Sequence, residues 1–134
     1  MKIKKSEAIP PYPHFVEEGR GDLKGKKVLV VGLAKTGIST AKFLHERGAV
    51  VTATDILPAS KIKGIDDLQN ASITVETGGH SVRHFLNAEL IVLSPGVSPD
   101  IAPLKEARRK GIEIISEIEL AYNFIKEPIV AIAG

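Results

Sequence analysis

The chain has 134 residues with 18 Lys and Arg against 16 Asp and Glu, a formal net charge of +2, no Cys, no Trp, and only 4 Phe and 2 Tyr. That length suits about one domain able to bury its own core. The absence of Cys excludes disulfide scaffolds, thiolate zinc sites and thiol nucleophiles, and so small a charge excess with so few aromatics argues against nucleic-acid binding.

Residues 1–22 carry Pro10, Pro11, Pro13, Gly19 and Gly21 with no period of 2 or 3.6, and read as a loose leader. Ser6, Glu7 and Pro10 fall where a signal peptide needs its apolar stretch. No run approaches the roughly 20 apolar residues of a membrane span, so a cytoplasmic protein without membrane contact is expected.

From Lys26 onward, short apolar runs alternate with amphipathic stretches. The run at 28–31 is continuous Val and Leu, as in a parallel strand covered on both faces. Similar runs follow at 50–54, 73–75, 90–93, 112–115 and 129–132. Between the first two, Ile38, Ala41 and Leu44 share a helical face, and Gly48 stands where a helix end favours positive φ. Weaker patterns predict short helices near 65–69 and 82–86. Leu104 and Ala107 mark a further helix between Pro103 and Gly111. Ser116 and Glu119 form an S-x-x-E capping box ahead of a predicted apolar stripe of Ile118, Ala121, Tyr122 and Ile125, and Pro128 stops that helix. The alternation predicts an α/β fold, a Rossmann-like doubly wound parallel sheet of about five strands over 23–127. The run 128–134 reads as a strand entering a glycine turn without a following helix, so a longer chain is expected, with 128–134 starting a central domain.

Gly32-Leu33-Ala34-Lys35-Thr36-Gly37 follows the first strand and opens the first helix. It matches the dinucleotide fingerprint G-x-G-x-x-G except that Ala34 holds the second glycine position, which narrows a phosphate's approach. The helix end still offers amides and a positive dipole to an anion; the plain alternative is a tight turn that binds nothing. Asp55, closing the second strand, suits a ribose, a sugar or a base, or else a turn. Ser94-Pro95-Gly96 follows the fourth strand and, in the order 3-2-1-4-5, faces the Gly32 loop across the topological switch point. There Ser94 offers a hydroxyl and Gly96 a bare amide.

Other candidates carry less. His80 and His84 are spaced as a metal pair, but Gly78 and Gly79 place His80 at a loop end, no carboxylate motif completes the site and a surface pair is expected. Lys105, Arg108, Arg109 and Lys110 read as a solvated helix end, and capping accounts for at least one of Glu113, Glu117 and Glu119. Neither a Ser-His-Asp order nor a complete P-loop is present, so catalytic residues and metal ligands are none.

Taken together, the blocks at 27–39, 77–80, 90–97, 115–121 and 128–134, with Asp55, resemble the amino-terminal domain of the Mur ligase family of peptidoglycan synthesis. The resemblance covers about residues 24–134 and points to the branch that adds D-glutamate to UDP-N-acetylmuramoyl-L-alanine. It implies three domains: the first holds the UDP end of the substrate, the central one is a P-loop ATPase using ATP and Mg, and the third brings the amino acid. The full-length protein would be an ATP-dependent amide-forming ligase. Gly134 would be the first glycine of its P-loop, so this chain would bind substrate, hold no cofactor and be inactive alone. By the same resemblance Lys35, Thr36 and Gly37 meet the diphosphate, Asp55 and Ile56 meet uracil, and Ser94-Pro95-Gly96 supplies a second diphosphate contact through Gly96. A nicotinamide-dinucleotide-binding module of an oxidoreductase or regulatory protein is the alternative, which Asp55 suits and Ala34 opposes.

Overall fold

The computed structural model describes residues 23–124. The strands are β1 (Lys27–Val31), β2 (Val50–Asp55), β3 (Thr74–Thr77), β4 (Leu90–Leu93) and β5 (Glu113–Ser116). Between and after them lie α1 (Lys35–Glu46), a 3₁₀ turn at Ala59–Lys61, α2 (Ile65–Asn70), α3 (Val82–Asn87), α4 (Ala102–Lys110) and α5 (Glu117–Phe124). The five strands are parallel in the order β3-β2-β1-β4-β5. The sequence expectation of a doubly wound sheet therefore holds, with the third strand extending to Thr77. The expected leader at 1–22 and the expected strand at 129–132 lie outside the described residues.

The continuous apolar run of β1 explains its central place. Side chains alternate across a strand, so Val28 and Val30 enter one core with Ile38, Ala41 and Leu44 of α1, while Leu29 and Val31 enter the other with Phe85, Leu104 and Ala107. A central strand covered on both faces has no polar positions to spare. Three helix ends are built from the expected chemistry. Gly48 and Gly111 sit at φ +93° and +86° after α1 and α4, a region that a Cβ disfavours. The capping box closes reciprocally: the Ser116 amide donates to Glu119 Oε1 at 2.8 Å and the Glu119 amide to Ser116 Oγ at 3.0 Å.

The stripe assigned to α5 is corrected. Ile118 is 74% exposed and Ala121 is exposed, whereas Leu120 is 4% exposed and joins the α1-side core. Ile125 lies outside the described residues. The capping box fixes where α5 begins, and its entry angle from β5 turns Leu120 inward; an apolar period by itself does not say which side meets the sheet.

Candidate functional site

The register of the sheet brings the chosen loops to one end. Val31 pairs with Thr54 on one side and Leu93 on the other, so the chain segments after β1, β2 and β4 leave the sheet side by side. Between them lies a cleft of about 370 Å³ lined by Gly32, Ala34, Asp55, Ile56, Leu57, His80, Ser94, Gly96, Val97, Ser98 and Ile101. A second groove runs along the other side of Asp55, between α1 and the Lys61–Gly64 turn, with Ala34, Lys35 and Leu57 in its wall. Such a position, beyond the carboxyl ends of parallel strands at the switch point, is where open α/β sheets hold ligands.

The turn after β1 is tightly built. Gly32 has φ +97°, and a Cβ there would stand 2.8 Å from both Ser94 Cβ and Val97 Cγ2. At Gly37 a Cβ would strike the Gly32 carbonyl oxygen. The third glycine is thus required for close packing of α1 on the turn, as the fingerprint's logic expects. Ala34, by contrast, is the N-cap at φ −69° and ψ −177°, a backbone open to any residue. It has no capping side chain, and the first helical bond runs from the Ile38 amide to the Ala34 carbonyl at 3.0 Å. The amides of Lys35, Thr36 and Gly37 therefore have no acceptor among the described residues, and they project with the positive end of the helix dipole.

Asp55 is 8% exposed, and its carboxylate holds the loops on both sides. Oδ2 accepts the Leu33 amide at 2.6 Å and Oδ1 accepts the Leu57 amide at 2.8 Å. Its first duty is thus to fix the glycine turn against the β2 exit; each oxygen keeps a further lone pair. Ile56, 64% exposed, and Leu57, 46% exposed, put apolar surface at the mouth. Ser94 is 4% exposed, and its hydroxyl lies 2.8 Å from the Gly32 carbonyl and 2.6 Å from Glu117 Oε2. The hydroxyl expected to face a diphosphate is engaged inside the protein instead. Gly96 lines the cleft, and a Cβ there would meet nothing within 4 Å.

His80 and His84 do not form the surface pair expected from sequence. Both are half-buried, while His80 does precede α3, at the loop end expected after Gly78 and Gly79. His80 lines the cleft, with Nδ1 2.9 Å from Thr54 Oγ1 and its ring edge-on to Phe85 at 5.9 Å. Thr54 Oγ1 also lies 3.0 Å from the Gly79 carbonyl, which can only accept. The Thr54 proton goes to that carbonyl, so Nδ1 is the donor to Thr54 and carries the ring proton. Burial lowers the His80 pKa below its ordinary value, opposed by the charges of Asp55 and Glu76. His84 Nε2 lies 3.5 Å from Glu76 Oε1. Glu76 is itself lowered, chiefly by the Ser81 hydroxyl at 2.5 Å, against desolvation and with help from the Ser81 amide, His84 and Arg83. The signal that could have found His80 was its place after Gly78-Gly79, which returns the chain to the β2 end: the Gly78 amide donates to the Leu57 carbonyl at 2.9 Å.

The basic run behaves largely as a helix end. Arg108, Arg109 and Lys110 occupy the last turn of α4, where Lys110 Nζ donates to the Leu86 carbonyl at 2.9 Å and Arg109 pairs with Glu106. Among the described residues no group of three or more His, Asp or Glu could hold a metal ion, and no helix is long and apolar enough to cross a membrane.

Sheet order, glycine turn and switch-point cleft together define a Rossmann-like α/β domain. Residues 26–116 match the family described as Mur ligase MurD-like, N-terminal domain. The chain belongs to that family. Among its relatives, the UDP-N-acetylmuramoylalanine--D-glutamate ligase of Geotalea daltonii is 49% identical over 114 residues, covering 84% of this chain and 25% of the relative. The protein of the same name from Geobacter sp. strain M21 is 50% identical over the same coverage. The chain thus spans about a quarter of the length of the curated relatives it matches. Among solved structures, a pseudomurein peptide ligase type C from Methanothermus fervidus superposes with a TM-score of 0.64 at 22% identity, over 78% of this chain and 21% of that one. Glutamyl-tRNA reductase from Methanopyrus kandleri does so at 0.55 and 19% identity, over 83% and 36%. At such identities these two likenesses speak for the fold alone.

Proposed function

We propose that this chain is the UDP-substrate-binding amino-terminal domain of an ATP-dependent ligase that adds D-glutamate to UDP-N-acetylmuramoyl-L-alanine in cytoplasmic peptidoglycan synthesis. The observation that carries the reading is the set of unpartnered amides at Lys35, Thr36 and Gly37, in the first turn of the helix capped by Ala34, which lines one cleft with the open backbone of Gly96. A diphosphate carries two negative charges and many acceptor oxygens, and fits a helix amino terminus with amides on both walls. Asp55 and Ile56 stand at the mouth, where the uracil is assigned, with Ile56 giving the ring an apolar surface and Asp55 keeping free lone pairs. The names carried by the relatives support D-glutamate and the acylated UDP-sugar as reactants.

ATP and magnesium belong, on this reading, to the central domain, whose P-loop would begin at Gly134. The described residues do not fit a magnesium–ATP site, since they hold neither a P-loop nor a metal-binding cluster. On this reading the chain by itself binds without ligating. The direct test is calorimetric titration of the 134-residue chain with UDP-N-acetylmuramoyl-L-alanine and, separately, with NADH. Binding of the UDP compound alone is the expected result. Binding of NADH alone would replace the reading with that of an oxidoreductase module.

A further inference from the structure

We infer that Glu117 is a positioning residue for the ligand loop: acting through Ser94, it holds the Gly32 carbonyl and with it the amino end of α1. The inference rests on the reading of that loop as a diphosphate site. Capping is expected to account for at least one of the acids near Ser116, and Glu119 fills that role. Glu117 is left as the first residue of α5, and its carboxylate turns to the sheet, 2.6 Å from the buried Ser94 hydroxyl.

Strand register causes the meeting. Leu93 pairs with Ser116 across β4 and β5, so the next residues, Ser94 and Glu117, leave the sheet as neighbours despite their separation in sequence. Ser94 is tied to the end of β1 twice: its amide donates to the Val31 carbonyl at 2.9 Å, and its hydroxyl lies 2.8 Å from the Gly32 carbonyl. That carbonyl oxygen is the atom a Cβ at Gly37 would strike. Glu117, Ser94, Gly32 and Gly37 thus form a chain of close contacts ending at the free amides. Displacing the Gly32 carbonyl must displace the start of α1, because no slack separates them.

The proton count sharpens the expectation. Ser94 has one hydroxyl proton and faces two acceptors, the Gly32 carbonyl and the Glu117 carboxylate. A glutamine at 117 brings N–H donors of its own, so it can donate to Ser94 Oγ and release the Ser94 proton entirely to Gly32. Aspartate keeps the charge but is one methylene too short to reach. The rival account is that Glu117 serves only as an acid in the first turn of α5, favoured by the helix dipole. The two accounts rank the variants in opposite order.

The test uses the 134-residue chain with Glu117→Ala, Glu117→Gln and Glu117→Asp. The readouts are the amide resonances of Gly32 to Gly37 without ligand and the affinity for UDP by calorimetry. The expected result is that Ala and Asp move those resonances and weaken UDP binding roughly tenfold, the scale of one charged hydrogen bond. Gln is expected to restore both to within about twofold on that scale. Loop resonances and affinity unchanged in Ala would overturn the inference, as would rescue by Asp and not by Gln. If Ala does not fold, the contrast of Gln with Asp decides alone. Should the unaltered chain fail to bind UDP, the ligand reading falls, and the resonances still judge Glu117: moved in Ala and restored in Gln supports it, unmoved overturns it.

Discussion

Two loops face each other across the cleft, and they are built on opposite plans. The turn after β1 is held from every side: Gly32 leaves no room for a Cβ, Gly37 lies against its carbonyl, Asp55 holds Leu33, and Ser94 holds Gly32. The loop after β4 is fixed at its root by Ser94 and then opens, so that Gly96 has nothing within 4 Å of where a Cβ would be. Both glycines were chosen from sequence as ligand contacts. At Gly37 the protein packs against the position, whereas at Gly96 the space is open.

The comparison is broken hardest at Gly37. Gly37→Ala drives a methyl into backbone that cannot rotate away, and the expected loss of stability is more than about 3 kcal/mol, at or beyond the upper end of ordinary overpacking. Urea unfolding measures it, and a loss under about 1 kcal/mol would mean that the turn yields. Asp55→Asn comes next. One Asn oxygen can keep a single amide, while its NH2 group confronts the other, so a stability loss of about 1–3 kcal/mol is expected together with weaker UDP binding. Stability lost without any change in affinity would leave Asp55 as a loop anchor only.

The third prediction concerns pH and the wall beside the open loop. The folded state lowers the His80 pKa below 6.5, so the unfolded chain binds the proton more readily. Stability from the neutral, buried ring is complete above about pH 6.5 and is lost as pH falls through the folded value. Thermal melts from pH 7.5 downward should show this loss in the unaltered chain and a flatter profile in His80→Asn. Equal slopes would count against a buried neutral His80. The smallest effect on folding belongs to Gly96→Ala, expected within about 0.5 kcal/mol because the site is open and its φ is not positive. The same methyl should nevertheless lower UDP affinity several-fold if a diphosphate approaches that amide. Unchanged affinity would take Gly96 out of the site and leave binding to the α1 side.

Much of this was legible in the residues. The apolar run at 28–31 announces a strand covered on both faces, Ile38, Ala41 and Leu44 announce the buried face of α1, and Ser116 with Glu119 announces the start of α5; each signal is local, carried by neighbours in sequence. The glycine turn and the crossing of Gly32 toward Ser94 were legible too, because the alternation of strands and helices leaves few topologies. What was misread depends on partners far along the chain. His80 reads from sequence as a surface residue because its hydrogen-bond partner, Thr54, lies 26 residues away in the chain. Ile118 was taken for core because periodicity reports a face without saying what covers it.

The sequence by itself determined the order of elements, the positions where backbone must be glycine, and the end of the sheet at which a ligand would sit. Only the tertiary structure decided how the polar groups at that end are employed. Asp55 and Ser94 read from sequence as ligand contacts and Glu117 as an acid near a helix start, yet buried polar atoms take the nearest partners that desolvation leaves them. In this fold, parallel register supplies those partners from strands distant in sequence, and it turns all three side chains toward the loop that the ligand would touch.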